Sequence, residues 1–159
     1  MSPNSTIFCL LAVLFFSCPV LTEVAPFTDC PQLEDGASRN CTVHEVRVNP
    51  CAEASENKPC KIKRGKSASI QFDFTSGSSS SEAFSRAYWA NEVTDLPFLG
   101  MNTDACQNTA CPITADQRQT YVYDLPISKK YPARTYDVKW KLNGTDVECC
   151  FIFQIKLVK

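Results

Sequence analysis

The feature that most constrains this chain is its cysteine content, since ten cysteines stand among 159 residues. Two of them, Cys9 and Cys18, lie in the apolar run Ile7–Leu21, which is shorter than the ~20 residues of a membrane-spanning helix. A short apolar run near the start of a chain is typical of a secretory signal peptide, and the residues before position 23 suit cleavage after Thr22. We therefore predict a signal peptide over residues 1–22. Because no Lys or Arg precedes the run, a signal anchor is the alternative.

The eight cysteines after residue 22 predict a disulfide framework. They are Cys30, Cys41, Cys51, Cys60, Cys106, Cys111, Cys149 and Cys150. An even number of cysteines in an exported chain is typical of pairing in an oxidising compartment. Cys51 and Cys60 lie close together, as do Cys106 and Cys111, so each pair is expected to close a local loop, while spacing leaves the other pairings open. A zinc site would need CxxC pairs or His partners, which the chain lacks, so no metal site is expected.

Two further features agree with export. The sequons that begin at Asn40 and Asn143 are predicted N-glycan acceptors. Nothing after Thr22 is apolar for long enough to span a bilayer, and no composition break divides residues 23–159. We expect these residues to form one secreted domain, with the lysosomal lumen as the alternative destination.

Apolar side chains recur with a period of two along this domain, which is typical of half-buried antiparallel strands. The predicted faces are Thr42, His44, Val46 and Val48; Ala68, Ile70, Phe72 and Phe74; Tyr121, Tyr123, Leu125 and Ile127; Tyr136, Val138, Trp140 and Leu142; and Phe151, Phe153, Ile155 and Leu157. Two more strands are expected at Ala83–Ala90 and near Pro59–Arg64, with turn residues between them. The fold class predicted is all-β, an immunoglobulin-like sandwich of about seven antiparallel strands.

Several function classes find no support in the sequence. The formal net charge of −1 leaves no excess of cations for nucleic acid. The glycines form neither a dinucleotide-binding nor a P-loop motif, and no cofactor is expected. The lone histidine, His44, lies on an alternating strand without a nucleophile elbow, so we predict that the protein is not an enzyme.

The inner faces of the predicted strands are rich in aromatic side chains, and two interpretations are open. The aromatics either fill the sandwich core, or the sheets stand apart at one end and leave an apolar cavity for a ligand. From periodicity alone, core filling is favoured.

Short motifs along the chain favour the cavity. They are Phe27-Thr28-Asp29-Cys30, Val46-x-Val48-x-Pro50-Cys51, Pro59-Cys60-x-Ile62-x-Arg64-Gly65, Cys106…Cys111-Pro112-Ile113, Tyr121-x-Tyr123, Leu125-Pro126-Ile127, Tyr131-Pro132 and Trp140-x-Leu142. In this order and spacing they resemble the ML lipid-recognition domain, closest to the soluble Niemann–Pick type C sterol carriers and their arthropod relatives. The resemblance runs from about Phe27 to Leu157.

The resemblance implies a seven-stranded sandwich that holds one lipid between its sheets without catalysis. The pocket mouth would be lined by Leu96, Phe98, Ile127, Tyr131 and Pro132, and the deeper wall by Tyr136, Val138, Trp140, Phe153 and Ile155. Phe98 and Tyr131 would face each other as an aromatic gate. The family's terminal bridge implies Cys30–Cys150, which leaves Cys41–Cys149, although a swap between the adjacent Cys149 and Cys150 stays open.

The stretch Ala87-Tyr88-Trp89-Ala90 is bulkier than its counterpart in the sterol carriers, and an inward Trp or Tyr would narrow the slot. The expected partner is therefore a sterol, a fatty acid or an apolar semiochemical, carried by a monomer with transient membrane or receptor contact at hand-off. The alternative function is a receptor-associated lipid-sensing module of innate immunity.

Overall fold

A computed structural model describes residues 23–31, 40–91 and 93–159, so the predicted signal peptide lies outside the described residues. The strands are β1 (Glu23–Val24), β2 (Phe27–Asp29), β3 (Cys41–Asn49), β4 (Cys60–Lys63), β5 (Ser67–Ser76), β6 (Ala83–Ala90), β7 (Leu96–Pro97), β8 (Arg118–Pro126), β9 (Thr135–Gly144) and β10 (Val147–Val158). Two single 3₁₀ turns, Ala54–Glu56 and Ala105–Gln107, are the only helical segments in the described ranges. In those same ranges we find no helix long and apolar enough to cross a membrane.

The strands form two sheets packed face to face, which confirms the predicted sandwich. One sheet has the order β1-β3-β5-β8, and the other has β2-β10-β9-β6-β7 with β4 also paired to β10. The seven longer strands coincide with the seven predicted segments, and the three additional strands have only two or three residues each. One pairing departs from the predicted antiparallel pattern, because β4 runs parallel to β10 from Ile155 to Val158.

The alternation in β5, β8, β9 and β10 builds the core as predicted. Phe72 on β5 lies 4.9 Å from Phe151 and 6.4 Å from Trp140, measured between ring centroids, so aromatic rings from both sheets touch in the middle of the sandwich. Both contacts are edge-to-face, the arrangement that the ring quadrupole favours. Burial of these rings anchors one sheet on the other.

The predicted face of the first strand is wrong at its beginning. In β3 the buried side chains are Val43, Val46 and Val48, whereas Thr42 and His44 are exposed. The pairing register of β3 with β5 shifts between Val43 and Glu45, which is a β-bulge. A bulge inserts one unpaired residue and so reverses the in–out alternation on one side of it.

Four disulfides connect the eight cysteines: Cys30–Cys150, Cys41–Cys149, Cys51–Cys60 and Cys106–Cys111. These are the pairs expected from spacing and from the resemblance. Cys149 belongs to the hydrophobic core, while its neighbour Cys150 lies outside that cluster. The adjacent cysteines thus use the two faces of β10, and Cys149 ties that strand to β3 in the opposite sheet.

Candidate functional site

Four aromatic side chains meet at one end of the sandwich, and we call Trp89, Phe98, Tyr131 and Tyr136 the aromatic cluster. The Trp89 ring lies 3.9 Å from Phe98, 5.0 Å from Tyr131 and 4.4 Å from Tyr136, measured between centroids. Phe98 and Tyr131 themselves are 6.1 Å apart. The structure therefore brings together the two residues of the predicted gate, with Trp89 packed against both.

The pairing of β6 with β7 positions Trp89 and Phe98, two members of this cluster. Trp89 lies near the end of β6, on the same face as the buried Ala87, and Tyr88 points to the outer side. β7 folds back along β6 with Trp89 opposite Leu96, and the Phe98 amide donates to the Ala87 carbonyl at 3.0 Å. These bonds place the Phe98 ring on Trp89 and leave it only 5% exposed.

Of the other two rings, Tyr131 lies in the loop between β8 and β9, and Tyr136 lies at the start of β9. The Arg64 guanidinium donates to the Tyr131 carbonyl at 2.8 Å, and the Tyr136 hydroxyl donates to the Pro132 carbonyl at 2.9 Å. The Arg134 guanidinium stands 4.6 Å over the Tyr136 ring, a cation–π contact on the outside of the cluster. Two hydrogen bonds therefore hold the loop at Tyr131 and Pro132, while the Tyr131 ring stays partly exposed.

The remaining predicted site residues divide by burial. Ile127, Val138, Trp140, Phe153 and Ile155 have at most 2% of their surface exposed and face the interior. Leu96 is 53% exposed, and Pro132 is exposed as well, so both lie on the outer rim of the aromatic cluster. The interior behind the cluster is therefore apolar and shielded from water.

Two grooves of about 250 and 290 Å³ lie outside this interior. The first runs over the outer face of β6 and β9, between Phe84, Arg86 and Lys141. The second lies where β2 meets β10, beside Phe27 and Ile152. Both open onto solvent, whereas the side chains behind the aromatic cluster are buried.

The sequence predicts Tyr121 on an inward face but does not include it among the site residues. Its ring is fully buried and stacks on Phe72 at 4.9 Å, while its hydroxyl is buried without a hydrogen-bond partner. Burial raises the pKa of Tyr121 to about 12, and the nearby Ser85 hydroxyl opposes only part of that rise. The alternation along β8 placed Tyr121 inward, but no sequence signal indicates an unpaired hydroxyl.

The chemistry available at this site is that of apolar contact. Among the described residues no group of three His, Cys, Asp or Glu side chains could hold a metal ion. The polar groups of the aromatic cluster are the tyrosine hydroxyls, the Trp89 indole N–H and backbone carbonyls, with Arg64 and Arg134 on its outside. Such a site can bind an apolar molecule by excluding water.

Comparison with known proteins agrees with this geometry. The ML domain family model matches residues 24–157. The MD-2-related lipid-recognition protein of Manduca sexta is 40% identical over 154 residues, covering 94% of this chain and 96% of the relative. The NPC intracellular cholesterol transporter 2 of Sus scrofa is 31% identical and covers 90% of each chain.

A solved structure shares the fold. The Niemann–Pick type C2 protein from the Japanese carpenter ant superposes with a TM-score of 0.70 and covers 84% of this chain and 99% of its own. Its sequence identity is 19%, so the likeness concerns the fold alone.

Proposed function

This chain belongs to the ML domain family, and on that premise we propose that it is a lipid-binding carrier that holds one hydrophobic ligand between its two sheets, without catalysis. The observation that carries the proposal is the aromatic cluster, which closes one end of a buried apolar interior. Its four large rings come from three separate chain segments and meet at the edge of the sandwich, an arrangement that core packing alone does not require.

A ligand would enter between the Phe98 and Tyr131 rings of the aromatic cluster. The Phe98 and Tyr131 rings come from different loops, so they can separate without breaking a strand pairing. Behind them, Val138, Phe153 and Ile155 offer apolar surface from two neighbouring strands. Each methylene buried there stabilises the complex by ~0.8 kcal/mol, which suffices for tight binding of a lipid without any charged partner.

The cargo we propose is a sterol or a slender apolar lipid such as a fatty acid or a semiochemical. Trp89 supports the slender class, because its ring occupies the space between Phe98, Tyr131 and Tyr136. The relatives named above include a cholesterol transporter and a lipid-recognition protein, which keeps both classes in the proposal.

We place the carrier in an oxidising compartment, as a secreted monomer or a protein of the lysosomal lumen. Four disulfides support this placement, because such bonds persist outside the cytosol. The apolar run before residue 23 supports export.

A second candidate is a lipid-sensing module that contacts a receptor or a membrane beside the pocket mouth. Its support is a set of exposed apolar side chains next to the aromatic cluster: Val93 is 92% exposed, Leu96 53% and Leu99 86%. Grouped apolar side chains on a surface mark interaction sites more often than scattered ones do. In the carrier, the same side chains would serve ligand hand-off.

The test of the carrier is Phe98→Ala in a fluorescent-lipid displacement assay. We expect the loss of ~1–3 kcal/mol in binding free energy, the scale of one buried aromatic side chain, because the mouth opens to water. Tyr131→Phe should change affinity little, since phenylalanine keeps the ring that contacts Trp89 and Phe98.

Phe84→Ala is the matched control, because Phe84 is 55% exposed on the outer face of β6. Each variant is also melted thermally, so that loss of affinity is separated from loss of fold. Unchanged affinity in a normally melting Phe98→Ala variant would place the entrance elsewhere. Mass spectrometry of lipid extracted from the natively purified protein then identifies the cargo class.

A further inference from the structure

Tyr121 lies in the middle of the sandwich, well behind the aromatic cluster. The loop that contains Tyr131 joins β8 to β9, so both strands lead away from the mouth toward the other end. Trp140 lies four residues beyond Tyr136 along β9, which at ~3.4 Å per residue is about 14 Å into the sandwich. The Tyr121 ring meets Trp140 across the sheets at 6.0 Å, so Tyr121 lies at that depth.

The Tyr121 hydroxyl has no hydrogen-bond partner, although it is buried. A buried polar group left unpaired costs about 1–3 kcal/mol, so such groups in folded proteins call for an explanation. The two other tyrosines that face this interior differ from it. The Tyr123 hydroxyl accepts from the Asn102 amide at 3.1 Å, and the Tyr136 hydroxyl donates to the Pro132 carbonyl.

Ser85, the side chain that opposes part of the rise in the Tyr121 pKa, already makes two other hydrogen bonds. Ser85 accepts from the Trp140 indole nitrogen at 2.7 Å and donates to the Lys141 carbonyl at 3.1 Å. The indole and the serine therefore satisfy each other within the core. The phenol of Tyr121 is left without a hydrogen-bond partner in the core, so its donor hydrogen is free for another molecule.

The rings around the Tyr121 hydroxyl determine which kind of acceptor it could bind. Phe72 and Trp140 flank the phenol, so the site offers no counter-charge and excludes water. An ionised carboxylate would lose its hydration there without a cationic partner, which is costly. A neutral oxygen, such as that of an alcohol, an aldehyde or a ketone, would accept one hydrogen bond at little desolvation cost.

We propose that the Tyr121 hydroxyl is a deep polar anchor of the lipid site, and that it selects slender lipids which enter with a neutral oxygen-bearing end first. This inference rests on the proposed carrier function and narrows its ligand class. The apolar tail of such a ligand would lie between Val138, Phe153 and Ile155 and end beneath the aromatic cluster.

The experiment compares Tyr121→Phe with Tyr123→Phe, using dodecanol and dodecane as probes that displace a fluorescent reporter. The exchange Tyr121→Phe removes only the unpaired hydroxyl, so the variant should fold, with a melting temperature at or above that of the natural chain. We expect it to bind dodecanol about fivefold to tenfold more weakly and to bind dodecane unchanged. Tyr123→Phe should leave the ratio of the two affinities unaltered, because its hydroxyl is bonded to backbone.

The outcomes separate this inference from the function on which it rests. If the natural chain binds both probes and Tyr121→Phe leaves the preference for dodecanol intact, the anchor is overturned and the carrier stands. If the natural chain binds neither probe nor any reporter lipid, both fall. An equal loss for dodecane and dodecanol would also overturn the anchor, since it would report shape rather than a hydrogen bond.

Discussion

The side-chain amide of Asn40 acts as a structural bridge, which bears on its predicted glycosylation. Its nitrogen donates to the Ser78 hydroxyl at 2.9 Å and to the Asp146 carbonyl, and its oxygen accepts from the Glu148 amide at 3.3 Å. Asn40 thereby joins the start of β3 to the β5–β6 loop and to the β9–β10 turn. Asn143, by contrast, is exposed on β9 beside the outer groove.

We predict that Asn143 carries a glycan and Asn40 does not when the chain is expressed in a eukaryotic secretory host. A glycan on Asn40 would replace one of the two amide hydrogens that hold the bridge. The measurement is peptide mapping after enzymatic deglycosylation, which converts a modified Asn to Asp. Asn143→Gln should remove the glycan mass, while Asn40→Gln should keep the mass and lower the melting temperature. Conversion of Asn40 to Asp in the mapping would show that its hydrogen bonds do not prevent glycosylation.

At the scale of elements, one carboxylate on the outer face of the first sheet ties three strands together. Asp73 on β5 accepts from Arg47 on β3 at 2.7 Å and from Arg118 and Thr120 on β8 at 2.7 and 2.8 Å. Burial opposes ionisation of Asp73, but these hydrogen bonds outweigh it and lower its pKa to about 2.

This low pKa predicts how stability depends on pH. The stabilisation is complete above the unfolded-state pKa of ~4 and is lost as the pH falls through the folded-state pKa of about 2. Asp73→Asn should therefore lower the free energy of unfolding at neutral pH by about 2 kcal/mol and flatten its decline between pH ~4 and ~2. Urea titrations across this range measure both effects.

The matched control for that titration is Asp124→Asn on β8, because Asp124 is exposed on the same face of the same sheet. A surface substitution of this kind changes stability by less than ~0.5 kcal/mol. If the two variants lose equal stability, the network of Asp73 contributes nothing specific to the sheet.

At the scale of the whole molecule, the disulfides differ in what they connect. Cys41–Cys149 joins β3 to β10 across the two sheets over a separation of 108 residues, whereas Cys106–Cys111 closes a loop over a separation of 5. A cross-link restricts the unfolded chain more when the loop that it closes is longer. The first bond therefore contributes to the packing of the sandwich, and the second to one local turn.

Because Cys30–Cys150 stays in place, the loop that Cys41–Cys149 adds runs only from Cys30 to Cys41 and across Cys149 and Cys150. We expect the double variant Cys41→Ala with Cys149→Ala to lose about 3 kcal/mol of unfolding free energy, and Cys106→Ala with Cys111→Ala about 2 kcal/mol. Denaturant unfolding of both variants under the same conditions provides the comparison. A larger loss in the Cys106 pair would show that its loop stabilises the site more than loop length predicts.

The regular strands were predictable because their physics is local. In β5, β9 and β10 each side chain alternates between the two faces of a pleated strand, so Phe72, Trp140 and Phe153 could be assigned to the core from spacing alone. The two short-range disulfides followed from proximity along the chain. The meeting of Phe98 with Tyr131 came from the resemblance to the ML domain, since those residues lie on different loops.

What only the tertiary structure decided depends on partners that are distant in the chain. The bulge that exposes Thr42 and His44 is a property of how β3 pairs with β5, and the parallel pairing of β4 depends on where β10 runs. The unpaired hydroxyl of Tyr121 is likewise invisible in the sequence, because hydrogen-bond satisfaction depends on every polar atom within reach in three dimensions. Periodicity therefore determines which side chains face inward, whereas long-range pairing decides register, strand direction and which buried polar group is left free to meet a ligand.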